Sequence, residues 1–136
     1  MPREKPLILV VDDEAHILHV VSLKLTNAGY DVLTAEDGEE AYEKALQEQP
    51  DLLITDYQMP YLTGLELCQK LKEHEQTRAL PALMLTARGF SLPAEMLEQT
   101  NIAGVLSKPF SPREVLTRVQ ELLGTTPATQ EVSDTL

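Results

Sequence analysis

The sequence predicts an α/β fold: a doubly wound parallel sheet with helices on both faces. Two observations carry this. Short apolar, β-rich runs alternate five times with segments of helical periodicity. Most of those runs are also continuous, lacking the polar alternation of a strand with one wet face. Five βα units in one chain then imply parallel strands joined by right-handed crossovers.

The first strand is Leu7-Ile8-Leu9-Val10-Val11. Residues 14–28 follow as a helix, with Ile17, Leu18, Val21, Leu25 and Ala28 at helical spacing and Gly29 as its stop. Asp31–Ala35 reads as the second strand. Asp37-Gly38-Glu39-Glu40 offers an N-cap and a reciprocal glutamate for a helix through about residue 48. Leu52–Thr55 is the third strand. Thr63-Gly64-Leu65-Glu66 is a capping box opening a helix that carries Leu67, Cys68 and Leu71. Ala82–Leu85 is the fourth strand, residues 92–100 a helix with Pro93 near its start, and Val105-Leu106 a short fifth strand. Ser111-Pro112-Arg113-Glu114 caps the last helix, which Gly124 ends. One domain is expected over residues 5–124. Residues 125–136 read as a flexible tail or the start of a linker, and so as either a stand-alone regulator or a domain cut from a longer chain.

Composition narrows the function. A formal charge of −11 over 136 residues argues against direct nucleic-acid binding, which needs a basic surface. A single cysteine, Cys68, excludes an internal disulfide. The longest purely apolar run, Leu7–Val11, is far short of a membrane span, and MPREKP does not open a signal peptide. A cytoplasmic location is expected, without membrane insertion.

In a doubly wound sheet, ligands bind beyond the carboxyl ends of the strands. There the first strand runs into Asp12-Asp13, the third into Asp56, the fourth into Thr86 and the fifth into Ser107-Lys108-Pro109. Taken singly, each has a plain explanation: a helix cap, a turn residue, a strand end, a solvated lysine. Together they are harder to explain. Two unit charges about 4 Å apart repel by about 4 kcal/mol at an effective dielectric of 20. Such a cluster calls for a cation or a raised pKa. A hard divalent ion with oxygen ligands answers that need, and a carboxylate beside it can take a phosphoryl group. No Gly-rich phosphate loop follows the first strand.

Asp12-Asp13, Asp56 with Met59-Pro60 and Gly64, Thr86-Ala87 and Lys108-Pro109-Phe110 resemble the signature of response-regulator receiver domains of two-component signalling. The resemblance covers about residues 5–124. It implies a flavodoxin-like (βα)5 fold of strand order 2-1-3-4-5, with Asp56 as phosphoacceptor. Asp13, Asp56 and the backbone carbonyl of Gln58 would ligate Mg²⁺, or Mn²⁺ in its place, with Asp12 acting largely through water. Lys108 would bridge to the carboxylate or phosphate, and Thr86 and the Ala87 N–H would bind phosphoryl oxygens. Lys108–Pro109 would be a cis peptide. Gln58 and Arg88 would tune dephosphorylation. The implied partners are a sensor histidine kinase or phosphotransfer protein and a downstream protein target. The fourth helix, fifth strand and fifth helix would form the face that responds and is open to dimerisation. One position departs from the family pattern: Val105 stands where an aromatic switch residue is usual.

Two other functions compete with this switch. An aspartyl phosphohydrolase would place an acid two residues after its nucleophile, and Gln58 cannot serve as one. A binding adaptor that ignores phosphate would fit Val105 but not the intact Asp12, Asp13, Asp56, Thr86 and Lys108 set. No turnover substrate is expected. His16 and His19 read as a solvated helix face, and Cys68 as a small core residue.

Overall fold

The computed structural model describes residues 5–87 and 92–124. Arg88 and residues 125–136 therefore lie outside the described residues. The elements are β1 (Leu7–Val11), α1 (Ala15–Asn27), β2 (Asp31–Ala35), α2 (Gly38–Glu48), β3 (Leu52–Asp56), α3 (Gly64–Lys72), β4 (Ala82–Thr86), α4 (Ala94–Glu98), β5 (Ile102–Ser107) and α5 (Pro112–Leu123). All strand pairs are parallel, in the order β2-β1-β3-β4-β5. This is the doubly wound, flavodoxin-like order.

The side-chain period of two divides each continuous strand between two cores. Leu9 and Val11 of β1, Leu53 of β3 and Met84 of β4 pack with Ala41 and Ala45 of α2 and Leu67, Cys68 and Leu71 of α3. Ile8, Val10, Leu52, Ile54, Leu83 and Leu85 pack on the other face with Leu18, Val21 and Leu25 of α1 and Val115 and Val119 of α5. Every residue of β1, β3 and β4 is buried, which is why these strands show no polar alternation.

The caps hold most helix ends. Thr63–Glu66 and Ser111–Glu114 form full capping boxes, and Gly124 closes α5 in the left-handed region at φ 68°. α2 departs from expectation. Asp37 accepts from the Glu40 N–H at 2.8 Å, but Glu40 Oε1 reaches the N–H of Glu36 rather than of Asp37.

Two elements differ more. α4 spans only Ala94–Glu98, because Pro93 is its N-cap and the Thr100 hydroxyl donates to the Met96 carbonyl at the other end. β5 is longer than expected. Ala103 and Gly104 weaken the strand signal, yet the register shifts between Ala82 and Leu83 and pairing with β4 continues. Gly104 lies against α5, where an added Cβ would stand 3.0 Å from Arg118 Nη1.

Candidate functional site

The sheet register brings the strand ends level. Val11 pairs with Thr55, Asp56 with Leu85, and Thr86 with Ser107. Residues just past these pairs therefore meet at one edge. Backbone bonds fix the exits: Asp12 N–H donates to Ala35 O at 3.2 Å, Tyr57 N–H to Leu85 O at 2.9 Å, and Lys108 N–H to Thr86 O at 2.7 Å. The Lys108–Pro109 bond is cis.

Asp12, Asp56 and Thr86 are buried, while Asp13 is exposed. Ligand atoms of Asp12, Asp13 and Asp56 lie within 4.8 Å of one another. Among the described residues, this is where a metal-holding group of His, Cys, Asp or Glu side chains forms; His16 and His19 stand outside it, exposed on α1. Lys108 Nζ lies 3.2 Å from Asp56 Oδ1, 3.5 Å from Asp12 Oδ2 and 3.3 Å from Glu14 Oε1. Asp12 Oδ1 accepts from the Glu14 N–H at 2.9 Å. Among the described residues, Asp12 Oδ2 and Thr86 Oγ1 are buried and make no hydrogen bond.

Burial pushes the Asp12 carboxyl up to about 6; the Glu14 N–H works against this, and the Asp56 charge adds to it. Burial likewise raises Asp56, with Lys108 opposing and Asp13 adding. Partial burial pulls the Lys108 ammonium down, but Asp12 and Asp56 outweigh it and its pKa ends above the ordinary value. The site thus concentrates more negative charge than its lysine neutralises.

The donor set suits a hard divalent cation. All three side chains offer carboxylate oxygens, and one buried oxygen, Asp12 Oδ2, has no hydrogen bond. Asp12, Asp13 and Asp56 are the residues that can hold such an ion.

The remaining sequence candidates are placed as follows. Gln58, Ala87 and Pro109 are exposed around the site. Val105 is half-buried and packs against the α2–α3 core, and its carbonyl accepts from Arg118 Nη2 at 3.2 Å. Cys68 is buried in the same core, its thiol pushed up to about 12 by burial, so it is no nucleophile. His74, just beyond the end of α3, meets Tyr42 Oη of α2 at 2.5 Å.

Gly64 is placed by close approach. A Cβ there would lie 2.4 Å from the Asp56 carbonyl oxygen and 2.9 Å from Met84 Sδ. Its N–H also donates to Tyr57 O at 2.9 Å. Gly64→Ala must therefore move the backbone that carries Asp56. The expected loss is about 1–3 kcal/mol of stability, as for other overpacked sites, checked by urea denaturation of both proteins. An unchanged midpoint would contradict the close approach.

The comparisons with known proteins agree with this geometry. The family model described as "Response regulator receiver domain" matches residues 8–120. The alkaline phosphatase synthesis transcriptional regulatory protein PhoP of Bacillus subtilis is 44% identical over 116 residues, 85% of this chain and 48% of that protein. The chain spans about half the length of the curated relatives it matches. Among solved structures, the chemotaxis response regulator CheY4 of Vibrio cholerae is 36% identical with a TM-score of 0.80, covering 88% of this chain and 99% of that one. The receiver domain of the sensor histidine kinase PA1611 of Pseudomonas aeruginosa, solved with magnesium in its active-site cleft, is 27% identical with a TM-score of 0.78, covering 89% and 99%. Strand order, the acidic edge and a family match over most of the chain converge, and the chain belongs to the response regulator receiver domain family.

Proposed function

We propose that this chain is a phosphorylation-dependent signalling switch in which Asp56 accepts a phosphoryl group. The observation that carries this reading is the convergence of Asp12, Asp13 and Lys108 on the Asp56 carboxylate. The donor is a histidine kinase or a phosphotransfer protein. A carboxylate oxygen of Asp56 bonds to phosphorus as the P–N bond to the donor imidazole breaks, and the imidazole keeps the electron pair. Asp56 attacks as the carboxylate, the form that Lys108 favours, so the nucleophile has no proton to lose in the step.

Each surrounding residue then has one task. β3, locked to β4 by the Tyr57 bond, holds Asp56 in line for attack. Lys108 meets the charge that grows on a phosphoryl oxygen. The unpaired Thr86 hydroxyl has a hydrogen bond to donate to another. Asp12, Asp13, Asp56 and the Gln58 carbonyl would hold Mg²⁺, which supplies neutralisation of the carboxylates and of the phosphoryl group when bound. The magnesium ion in the PA1611 receiver supports this choice of ion.

The new charge draws Thr86 inward and biases two arrangements of the face formed by α4, β5 and α5. Val105 changes how this is relayed: a half-buried aliphatic side chain packed on the α2–α3 core stands in place of a rotating ring. The output is a change in protein–protein contact through that face. The relatives named as transcriptional regulators support a place upstream of gene expression. Gln58 argues against a hydrolase, since it offers no acid for a leaving group.

The test is intact-protein mass after incubation with acetyl phosphate. With Mg²⁺ the protein should gain one phosphoryl group, and excess chelator should prevent the gain. No gain with Mg²⁺ present would sink the reading.

A further inference from the structure

The proposed switch does not use Glu14, yet its carboxylate is one of three that share Lys108. Glu14 is the N-cap residue of α1, but its side chain makes no capping bond. N-caps favour Ser, Thr, Asp or Asn, so helix formation does not account for a glutamate here. Its backbone is held instead: the N–H by Asp12 Oδ1, the carbonyl by the Leu18 N–H at 3.1 Å. The side chain then crosses to the β5–α5 loop, where Oε1 lies 3.3 Å from Lys108 Nζ. An ammonium has three N–H donors. Asp12, Asp56 and Glu14 stand at 3.5, 3.2 and 3.3 Å from Nζ, so three carboxylates share one ammonium. Asp12 and Asp56 are buried, whereas the Glu14 side chain is 62% exposed and stands on the solvent side of the lysine.

We propose that Glu14 is a positioning residue for Lys108, whose carboxylate competes with an incoming phosphoryl group for the ammonium and so weakens association of the phosphodonor. This rests on the reading of Asp56 as acceptor. A donor such as acetyl phosphate arrives as an anion. It meets the exposed carboxylates of Asp13 and Glu14 before it meets a cation already ion-paired with three carboxylates. The step itself balances without a further reagent: the Asp56 oxygen bonds to phosphorus, the bond from phosphorus to the acetyl oxygen breaks, and acetate leaves with the electron pair. Glu14 competes with the contact that Lys108 already makes with the bound donor and that persists in the transition state, so its effect falls on KM and leaves kcat alone.

The experiment compares wild type with Glu14→Gln, which keeps the side chain's shape and removes its charge. Phosphoryl uptake from acetyl phosphate with saturating Mg²⁺ is followed at low salt and at about 1 M salt, where screening is short-ranged. The KM of Glu14→Gln should be about two- to fivefold lower at low salt, the range of an exposed ion pair. Its kcat should be unchanged, and the difference should close at high salt. Glu121→Gln removes the same charge from the exposed side of α5 and should leave KM unchanged. The ¹⁵N resonance of the Lys108 ammonium in metal-free protein should move in Glu14→Gln and not in Glu121→Gln. Equal KM values for wild type and Glu14→Gln at low salt, or a KM shift matched by Glu121→Gln, overturn the proposal while the acceptor reading stands. Failure of wild type to take up phosphoryl at all overturns both.

Discussion

Asp56→Asn should lose phosphoryl uptake from acetyl phosphate altogether, a fall of at least about a thousandfold, as when other enzymes and acceptors lose their nucleophile. The amide has nearly the same shape, so the β3 end should keep its register with Leu85. What changes is chemistry. An amide oxygen is a poor nucleophile, and without the Asp56 charge Lys108 loses its nearest carboxylate, at 3.2 Å. Intact mass and circular dichroism check the two halves together: no mass gain, unaltered fold. Uptake by Asp56→Asn at the wild-type rate would mean that another residue carries the phosphoryl group.

The second large effect concerns stability rather than chemistry. In metal-free protein, the stability of wild type relative to Asp12→Asn should fall as pH rises from about 4 to about 6, opposite to the usual effect of a salt-bridged carboxylate. Burial raises the Asp12 carboxyl to about 6, whereas in the unfolded chain it titrates near 4. Between those values the folded state binds more protons than the unfolded one. Stability contributed by the neutral acid is complete below the lower value and is lost as pH passes the upper. The Asp12 contribution is on the order of 3 kcal/mol, from about two pKa units at 1.36 kcal/mol each. Asp12→Asn carries no such charge, so it should be more stable than wild type above pH 6 and nearly level with it at pH 4. Urea denaturation in the presence of a chelator measures both. A wild type whose stability rises through this window relative to Asp12→Asn would contradict the burial of an uncompensated charge. Divalent metal should narrow the gap at neutral pH, because it neutralises the same carboxylates.

The sequence showed most of the fold because both faces of this sheet are covered. β1, β3 and β4 are buried throughout and read as unbroken apolar runs, while Thr63 and Ser111 marked two helix starts by side-chain chemistry alone. β5 was under-read because it is an edge strand: Ala103 and Gly104 look like a loop, and only pairing with β4 makes them a strand. The short α4 ends through a Thr100 hydroxyl bond that no periodicity reveals. At the site, strand-end positions followed from topology, so Asp12, Asp13, Asp56, Thr86 and Lys108 could be gathered from their place in the sequence. Contacts between side chains could not. Glu14 and Lys108 are 94 positions apart, and their ion pair depends on where the β5–α5 loop turns. The Tyr42–His74 bond has the same origin, a face of α2 and the turn after α3 brought together by the core beneath them. Gly64 was visible as a residue, but its reason, a carbonyl where a Cβ would sit, belongs to the packed backbone.

On the proposed reading, Asp56 and no other residue accepts the phosphoryl group. Borohydride reduction of the phosphorylated wild-type protein, followed by peptide mass mapping, locates an acyl phosphate by converting the modified carboxyl to an alcohol. Reduction is expected at Asp56 alone, dependent on Mg²⁺ and on the phosphodonor. Reduction at Asp12 or Asp13 instead, or a phosphoryl group found on His16 or His19 with Asp56 intact, would contradict it.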